Sequence, residues 1–228
     1  MNAALLTEFG TPLVLTQLDR PRPGPGEALI RVRAAALCGT DLKVTAGMMR
    51  PDLTLPVVIG HEIAGDVVST SDGSLLPGTR VACYPYLPCG ECASCVRGDT
   101  NTCANIQLVG LDRQGGLAEY LAVPVASLIP FAKHTDFAAA AVSMDAVATT
   151  WHALYGRGRI TPGDRVVVIG AGGLGLNGVQ IAVGAGARVA VVDRNPVRRE
   201  IVLDYGADRA VAFDDTESLR DFSARGRT

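Results

Sequence analysis

The sequence has no concentrated positive charge. Its 228 residues include 21 basic and 23 acidic side chains, which gives a net charge of −2 without any basic cluster. Proteins that bind nucleic acids usually carry clustered basic residues, and this sequence has no such cluster, so we expect no nucleic-acid partner. The start, MNAALLTEFG, also lacks the basic residues and long apolar run of a secretory signal. We therefore expect a cytoplasmic protein whose six cysteines stay reduced.

The sequence also lacks a convincing membrane span. Residues 166–187 contain no charged side chain, and a stretch of that length could cross a bilayer. However, seven glycines, Asn177 and Gln180 interrupt it, and β-branched runs lie at its ends. Parallel strands that are covered on both faces have continuous apolar runs of this kind. We predict a buried strand–turn–helix unit and no membrane partner.

The chain divides by composition into two parts, which predicts an α/β multidomain protein. The first, residues 1–150, has short β-branched or alternating runs broken by glycine and proline, which predict an antiparallel, barrel-like β domain. The second, residues 151–228, alternates strand and helix patterns, which predicts a parallel sheet with right-handed crossovers. The clearest strands of the first part are predicted at residues 28–37, 63–70, 79–84 and 118–125.

Four cysteines lie close together in the stretch PCGECASCVRGDTNTC, at Cys89, Cys92, Cys95 and Cys103. Disulfides need well-separated, correctly aimed Cβ atoms, so thiols at two-residue gaps cannot all pair without strain. Four sulfurs can instead converge on one tetrahedral cation and leave no open position, as in structural zinc sites. A disulfide knot and four unrelated thiols are the alternatives, but clustered thiols in a reducing cytosol favour the metal.

The segment GAGGLG follows a strand pattern and opens a helix pattern. In a dinucleotide-binding turn, the first glycine permits the tight turn, the second lets a pyrophosphate approach, and the third lets the helix pack on the strand. Asp193 ends the next predicted strand, where its carboxylate can accept the ribose hydroxyls. Its charge would repel a 2′-phosphate, which favours NAD over NADP, although Arg194 softens that preference. A purely structural glycine turn is the alternative. The predicted cofactor residues are Gly170, Gly172, Gly173, Leu174, Gly175, Asp193 and Arg194.

Cys38, in CGTD, and His61, in GHE, each follow an apolar run. Taken singly, a buried cysteine and a loop histidine that bonds to backbone are the simpler interpretations. Beside a closed zinc loop and a nucleotide fold, the two residues together suggest a second metal. A catalytic zinc needs about three protein ligands and an open position for water or a substrate oxygen.

With these motifs, the chain resembles the medium-chain, zinc-dependent alcohol/polyol dehydrogenase family. The resemblance implies a GroES-like β-barrel domain over residues 1–150, a Rossmann domain from residue 151 onward, and a homo-oligomer. It also implies a small alcohol, polyol or carbonyl substrate, NAD, and two zinc ions, one catalytic and one structural. The matching segments are spread along most of the chain and are residues 23–41, 55–68, 89–103, 115–120 and 170–175.

In that family the catalytic zinc is held by the CGTD cysteine, the GHE histidine and a third Cys, Asp or Glu near the domain junction. The resemblance therefore implies Asp145 as the third ligand. An ordinary aspartate on a helix surface is the alternative, but the apolar run AAAAVSMDAVATT around it gives such a residue little reason to be there. It places Glu62 beside the metal and gives the Thr40 hydroxyl the role of accepting the alcohol proton. Many relatives carry histidine where this chain has Lys43, which is a poorer proton carrier near neutral pH.

Members of the family usually extend well beyond 228 residues. The resemblance thus implies a chain truncated at its C-terminus, with a partial doubly wound Rossmann sheet of three strands. The strand at residues 165–170 would then have an exposed apolar edge. Two hypotheses follow. The chain is a partial zinc-dependent NAD oxidoreductase, or it is a catalytically inactive zinc-binding remnant or partner subunit.

Overall fold

The structure is a computed structural model, and it describes residues 1–224. The chain divides into two compact units, Met1–Asp145 and a second unit that begins at Ala146. This division lies slightly before the predicted domain boundary at residue 150, within a helical segment that begins at Phe137.

The first unit consists mainly of short antiparallel strands, and the four clearest sequence patterns form four of them. Its strands are β1 Asn2–Leu6, β2 Val14–Gln17, β3 Glu27–Ala36, β4 Val57–Val58, β5 Glu62–Thr70, β6 Arg80–Cys83, β7 Tyr86–Leu87, β8 Gln107–Leu108, β9 Tyr120–Pro124 and β10 Leu128–Pro130. Its helices are α1 Gly39–Thr45, α2 Ala93–Val96 and α3 Phe137–Val142, with 3₁₀ turns at Thr100–Thr102 and Val125–Ser127 and a π-helical turn at Ser143–Val147.

These strands form the predicted barrel-like arrangement. Five of them lie in the order β10-β6-β5-β3-β9, and a second sheet has the order β2-β1-β4. A bridge between Ala3 and Ala118 joins the first strand to the segment before β9. Side chains such as Ile30, Ile63 and Leu121 are fully buried between the strands. The β3–β5 pair sets the site, because its register places Ala36 opposite Glu62 and so brings the segments with Cys38 and His61 together.

The second unit is a three-stranded parallel sheet in the order β11-β12-β13, as the sequence predicts. Its core contains Val179 of one covering helix with Val189 and Val191 of the central strand. Residues 225–228, which the sequence pattern adds to the last helix, lie outside the described residues. The elements are β11 Arg165–Ile169, β12 Arg188–Val192, β13 Arg209–Val211, α4 Ala148–Trp151, α5 Gly173–Gly184, α6 Pro196–Asp204 and α7 Thr216–Ala224, with a π-helical turn at His152–Arg157.

The uncharged stretch at residues 166–187 forms β11, the glycine turn and α5, so the strand–turn–helix prediction is confirmed. The helix within it has 12 residues. Among the described residues, no helix combines the length and the apolar character that crossing a membrane requires.

Candidate functional site

Three potential metal ligands, Cys38, His61 and Asp145, converge in the first unit. Cys38 caps the N-terminus of α1, and His61 directly precedes β5. Asp145 lies in the π-helical turn after α3, and π-helical turns are frequent at functional sites. Asp145 Oδ2 lies 3.4 Å from His61 Nε2 and 3.6 Å from Cys38 Sγ. The structure thus brings together the three residues that the family resemblance implies, with their ligand atoms within 4.8 Å of one another.

The chemistry of this donor set fits zinc. A thiolate, an imidazole and a carboxylate are all ligands that zinc accepts, and three protein ligands leave a fourth position for a small molecule. His61 and Asp145 are buried, while Cys38 is half-buried. The arrangement therefore resembles a catalytic metal site and differs from a closed structural one.

Asp41 contacts two of these potential ligands, and the sequence motifs did not identify it as a site residue. Its Oδ2 accepts the backbone N–H of Cys38 at 2.8 Å, and its Oδ1 lies 3.3 Å from His61 Nδ1. Carboxylates commonly orient metal-binding histidines through the second ring nitrogen in this way. One feature of the sequence could have identified Asp41. It lies three residues after Cys38, and this spacing is typical of a capping box at the start of a helix such as α1.

The buried carboxylates make this site electronegative. Burial lowers the pKa of His61, but the contacts with Asp145 and Asp41 outweigh burial and raise it to about 11. The negative charge that favours a proton on His61 would equally favour a divalent cation, and the two would compete for the imidazole.

The other three predicted catalytic residues lie beside this cluster along the chain. The backbone N–H of Thr40 donates to Cys38 Sγ at 3.5 Å. Lys43 is exposed three residues later on α1. Glu62 directly follows His61, is buried at the first position of β5, and is not one of the three residues whose ligand atoms converge. Their catalytic roles remain predictions.

The four cysteines of the lobe also converge. The sulfur–sulfur distances are 3.5 Å for both Cys92–Cys95 and Cys89–Cys103, 3.9 Å for Cys92–Cys103 and 4.0 Å for Cys89–Cys95. Sulfurs bound tetrahedrally at about 2.3 Å from one zinc would lie about 3.8 Å apart. All four cysteines are free thiols. The geometry fits one tetrahedral cation and excludes the disulfide knot in this structure.

Backbone N–H groups favour the metal-binding thiolate form at two of the four cysteines, whereas burial raises the pKa of Cys95 to about 12. The N–H groups of Cys95 and Ala104 lower the pKa of Cys92 to about 6. The N–H of Cys89 likewise lowers the pKa of Cys103, to which it donates at 3.3 Å. Both effects follow from N–H dipoles that point at sulfur and stabilise its negative charge.

The glycine turn of the second unit has two kinds of glycine. A Cβ on Gly175 would lie 1.8 Å from the carbonyl oxygen of Gly170, so the close approach of α5 to the turn excludes any side chain there. Gly170 has a φ of +91°, which favours glycine. At Gly172 and Gly173, an added Cβ would meet nothing within 4 Å. Packing within the described residues therefore does not explain these two glycines, whereas the predicted approach of a pyrophosphate would. The adjacent Leu174 is exposed.

Asp193 connects the turn to the end of β12. Its Oδ2 accepts the N–H of Ala171 and its Oδ1 accepts the N–H of Asn195, both at 2.7 Å. These bonds lower the pKa of Asp193, so the carboxylate is charged. Carboxylate oxygens have further lone pairs, which remain able to accept ribose hydroxyls. Arg194 is exposed directly after it, and Arg198 Nη1 lies 3.9 Å from Oδ2.

The fold and the two ligand clusters indicate a metal-binding protein with a nucleotide-type glycine turn, and comparisons with known proteins show its family. Residues 24–133 match the alcohol dehydrogenase GroES-like domain, and residues 173–226 match the zinc-binding dehydrogenase domain. L-galactonate-5-dehydrogenase of Escherichia coli is 42% identical over 192 residues, which cover 83% of this chain and 55% of that protein. L-threonine 3-dehydrogenase of Pyrococcus horikoshii is 33% identical over 222 residues, covering 92% and 61% respectively.

Among solved structures, an NAD-dependent alcohol dehydrogenase superposes with a TM-score of 0.91 at 33% identity, covering 98% of this chain and 67% of that one. The chain belongs to the medium-chain, zinc-dependent alcohol/polyol dehydrogenase family. It spans 55% and 61% of the lengths of the two curated relatives.

Proposed function

We propose that the protein is a zinc-dependent oxidoreductase that transfers a hydride between a small alcohol or polyol and NAD. The convergence of Cys38, His61 and Asp145 on one point carries this proposal. A closed four-sulfur lobe alone would support only a structural metal, whereas a three-ligand site leaves room for a substrate oxygen.

The chain's residues have distinct parts in this reaction. Cys38, His61 and Asp145 would hold the catalytic zinc, and Asp41 would orient the imidazole of His61 through the 3.3 Å contact with Nδ1. When bound, zinc would supply a Lewis acid that lowers the pKa of an alcohol, and NAD would supply the hydride acceptor. Cys38 and Asp145 contribute two negative charges, which match the charge of one divalent cation. Glu62 adds a buried carboxylate next to His61 in the chain.

Proton removal is assigned to α1. The Thr40 hydroxyl accepts the alcohol proton, and Lys43 and solvent water carry it away. Positions three apart lie on the same face of a helix, so Lys43 follows Thr40 along one side of α1. Because lysine is a weak proton carrier near neutral pH, we expect an alkaline optimum.

Asp193 supports NAD as the cofactor. Its carboxylate is charged and lies at the end of β12, where a 2′-phosphate would meet negative charge. Gly170, Gly172, Gly173 and Gly175 form the pyrophosphate turn at the N-terminus of α5. Arg198 reduces the discrimination against NADP because its guanidinium lies near the same carboxylate, and the exposed Arg194 directly follows Asp193 in the chain.

The relatives support a polyhydroxy acid as the first substrate to test. L-Galactonate carries several hydroxyl groups and a carboxylate, and the relative named for it has the higher identity of the two. L-Threonine is the second substrate to test. The requirement for reduced thiols supports a cytoplasmic location, and the family resemblance supports a homo-oligomer.

Metal analysis of the unaltered protein beside Cys38→Ser and Cys92→Ser tests the two zinc sites. We expect about two zinc ions per chain, one for each cluster, and the loss of one in each variant. Cys92→Ser should also destabilise the fold more, because a structural zinc contributes its binding energy to folding. Full zinc content in Cys38→Ser would refute the catalytic-site assignment.

Assays with NAD and either L-galactonate or L-threonine test the reaction itself. NADH formation that disappears in Cys38→Ser is the expected result. Stoichiometric zinc without measurable NAD affinity would instead indicate a non-catalytic zinc-binding protein.

A further inference from the structure

The second carboxylate oxygen of Asp145 contacts a residue outside the metal cluster. Oδ2 lies among the potential ligands, close to His61 Nε2 and Cys38 Sγ. Oδ1 instead lies 3.5 Å from the hydroxyl of Tyr86. One carboxylate thus has two different environments, with metal-binding atoms on one side and a phenol on the other.

Tyr86 is held by elements that do not belong to the cluster. It lies on β7, which pairs with β8 so that Tyr86 stands opposite Leu108. Its ring packs against Tyr84 with the ring centroids 5.6 Å apart, and the side chain is half-buried. The position of the hydroxyl is therefore set by strand pairing and aromatic packing, independently of a metal.

The chemistry of the contact fits a hydrogen bond from phenol to carboxylate. A tyrosine hydroxyl ordinarily keeps its proton near neutral pH. A protonated phenol can donate to a carboxylate oxygen. At 3.5 Å the contact is at the long end of the range for a hydrogen bond.

We propose that Tyr86 is a positioning residue for the catalytic metal, donating a hydrogen bond to Asp145 Oδ1 and presenting Oδ2 as the single ligand oxygen. The inference rests on the proposed role of Asp145 as a metal ligand. With Oδ1 held by the phenol, the carboxylate is kept from binding the cation through both oxygens. One coordination position therefore stays open for substrate.

Zinc affinity of Tyr86→Phe tests this role, because the substitution removes only the hydroxyl. Titration against a chromophoric chelator measures both sites, and Cys38→Ser and Cys92→Ser identify which affinity belongs to which cluster. Removing a group that orients a metal ligand typically weakens metal binding about 10- to 100-fold. We expect that loss at the Cys38 site in Tyr86→Phe, with unchanged affinity at the four-cysteine site.

Tyr84→Phe is the matched control, since it removes the neighbouring phenol hydroxyl and keeps the ring that packs on Tyr86. It should leave both affinities unchanged. Cobalt(II) absorption at the Cys38 site should shift in Tyr86→Phe and not in Tyr84→Phe, because only the former changes how the carboxylate is held.

Unaltered affinity and an unaltered cobalt spectrum in Tyr86→Phe would overturn the proposal. Asp145→Asn, measured in parallel, separates this failure from failure of the proposed function. If Asp145→Asn loses metal and Tyr86→Phe does not, only the proposed role of Tyr86 is refuted. If neither variant loses metal, the assignment of Asp145 as a ligand is refuted as well.

Discussion

Alanine substitutions at two glycines of the nucleotide turn separate a packing requirement from a ligand requirement. At Gly175 the added Cβ would lie 1.8 Å from the carbonyl oxygen of Gly170, and real Cβ contacts essentially never lie below 3.0 Å. The helix or the turn would have to move by roughly 1 Å or more, an overpacking strain of about 1–3 kcal/mol. At Gly172 the added Cβ meets nothing within 4 Å, and φ is an ordinary −79°.

The free energy of unfolding should therefore differ between the variants. We expect Gly175→Ala to lose about 1–3 kcal/mol. Gly172→Ala should lose less than about 1 kcal/mol, because alanine is only a weaker N-cap than glycine. Urea unfolding followed by tryptophan fluorescence measures this change locally. Trp151 is the only tryptophan in the sequence and lies on α4, which contacts α5 within the second unit.

For NAD affinity, in contrast, Gly172→Ala is the informative variant. In Gly172→Ala the fold persists, but a methyl group occupies the space where the pyrophosphate approaches, so we expect NAD binding to weaken roughly tenfold or more, equivalent to about 1.4 kcal/mol. Isothermal titration with NAD measures it. A Gly175→Ala protein as stable as the unaltered chain would refute the packing reasoning. Unchanged NAD affinity in Gly172→Ala would refute the assignment of the phosphate-binding turn.

Two further substitutions test an ion pair and a sheet edge. The hydrogen bond from Arg50 lowers the pKa of Asp112 below its ordinary 3.8, so this stabilisation is present above that pH and disappears as pH falls through the folded-state pKa. Asp112→Asn should lower the free energy of unfolding by up to about 1 kcal/mol at pH 7 and by less in acid, as measured by urea unfolding. An equal loss at both pH values would contradict this. Ile169 is 79% exposed on edge strand β11, so Ile169→Lys should reduce self-association in light scattering; unchanged scattering would contradict this.

The longer strands could be predicted from sequence, and the shortest could not. β3 and β5 span ten and nine residues, long enough for alternating or β-branched patterns to be recognised. β4 and β7 have two residues each, and their pairing partners are distant in the chain. No local pattern can identify a strand of two residues, because its existence depends on the partner strand.

Some residues of the candidate site could likewise be predicted from local sequence, and others could not. The cysteine spacing and the glycine turn are local, so the sequence predicts their chemistry directly. Asp145 follows a helix of alanines, and only the family resemblance singled it out. Asp41 and Tyr86 were missed because their contacts depend on the β3–β5 register and the β7–β8 pairing, which bring distant segments together.

The charges of the two clusters explain why only one of them suits catalysis. Four thiolates around a divalent cation would leave two excess negative charges and no open position, and that excess would oppose negative charge on an alcohol oxygen. One thiolate, one carboxylate and a neutral imidazole would balance the cation and leave a position open. The lobe lies between β7 and β8 in the chain, and β7 carries Tyr86. We therefore infer that a metal in the lobe has a structural role in this part of the fold and takes no part in the chemistry.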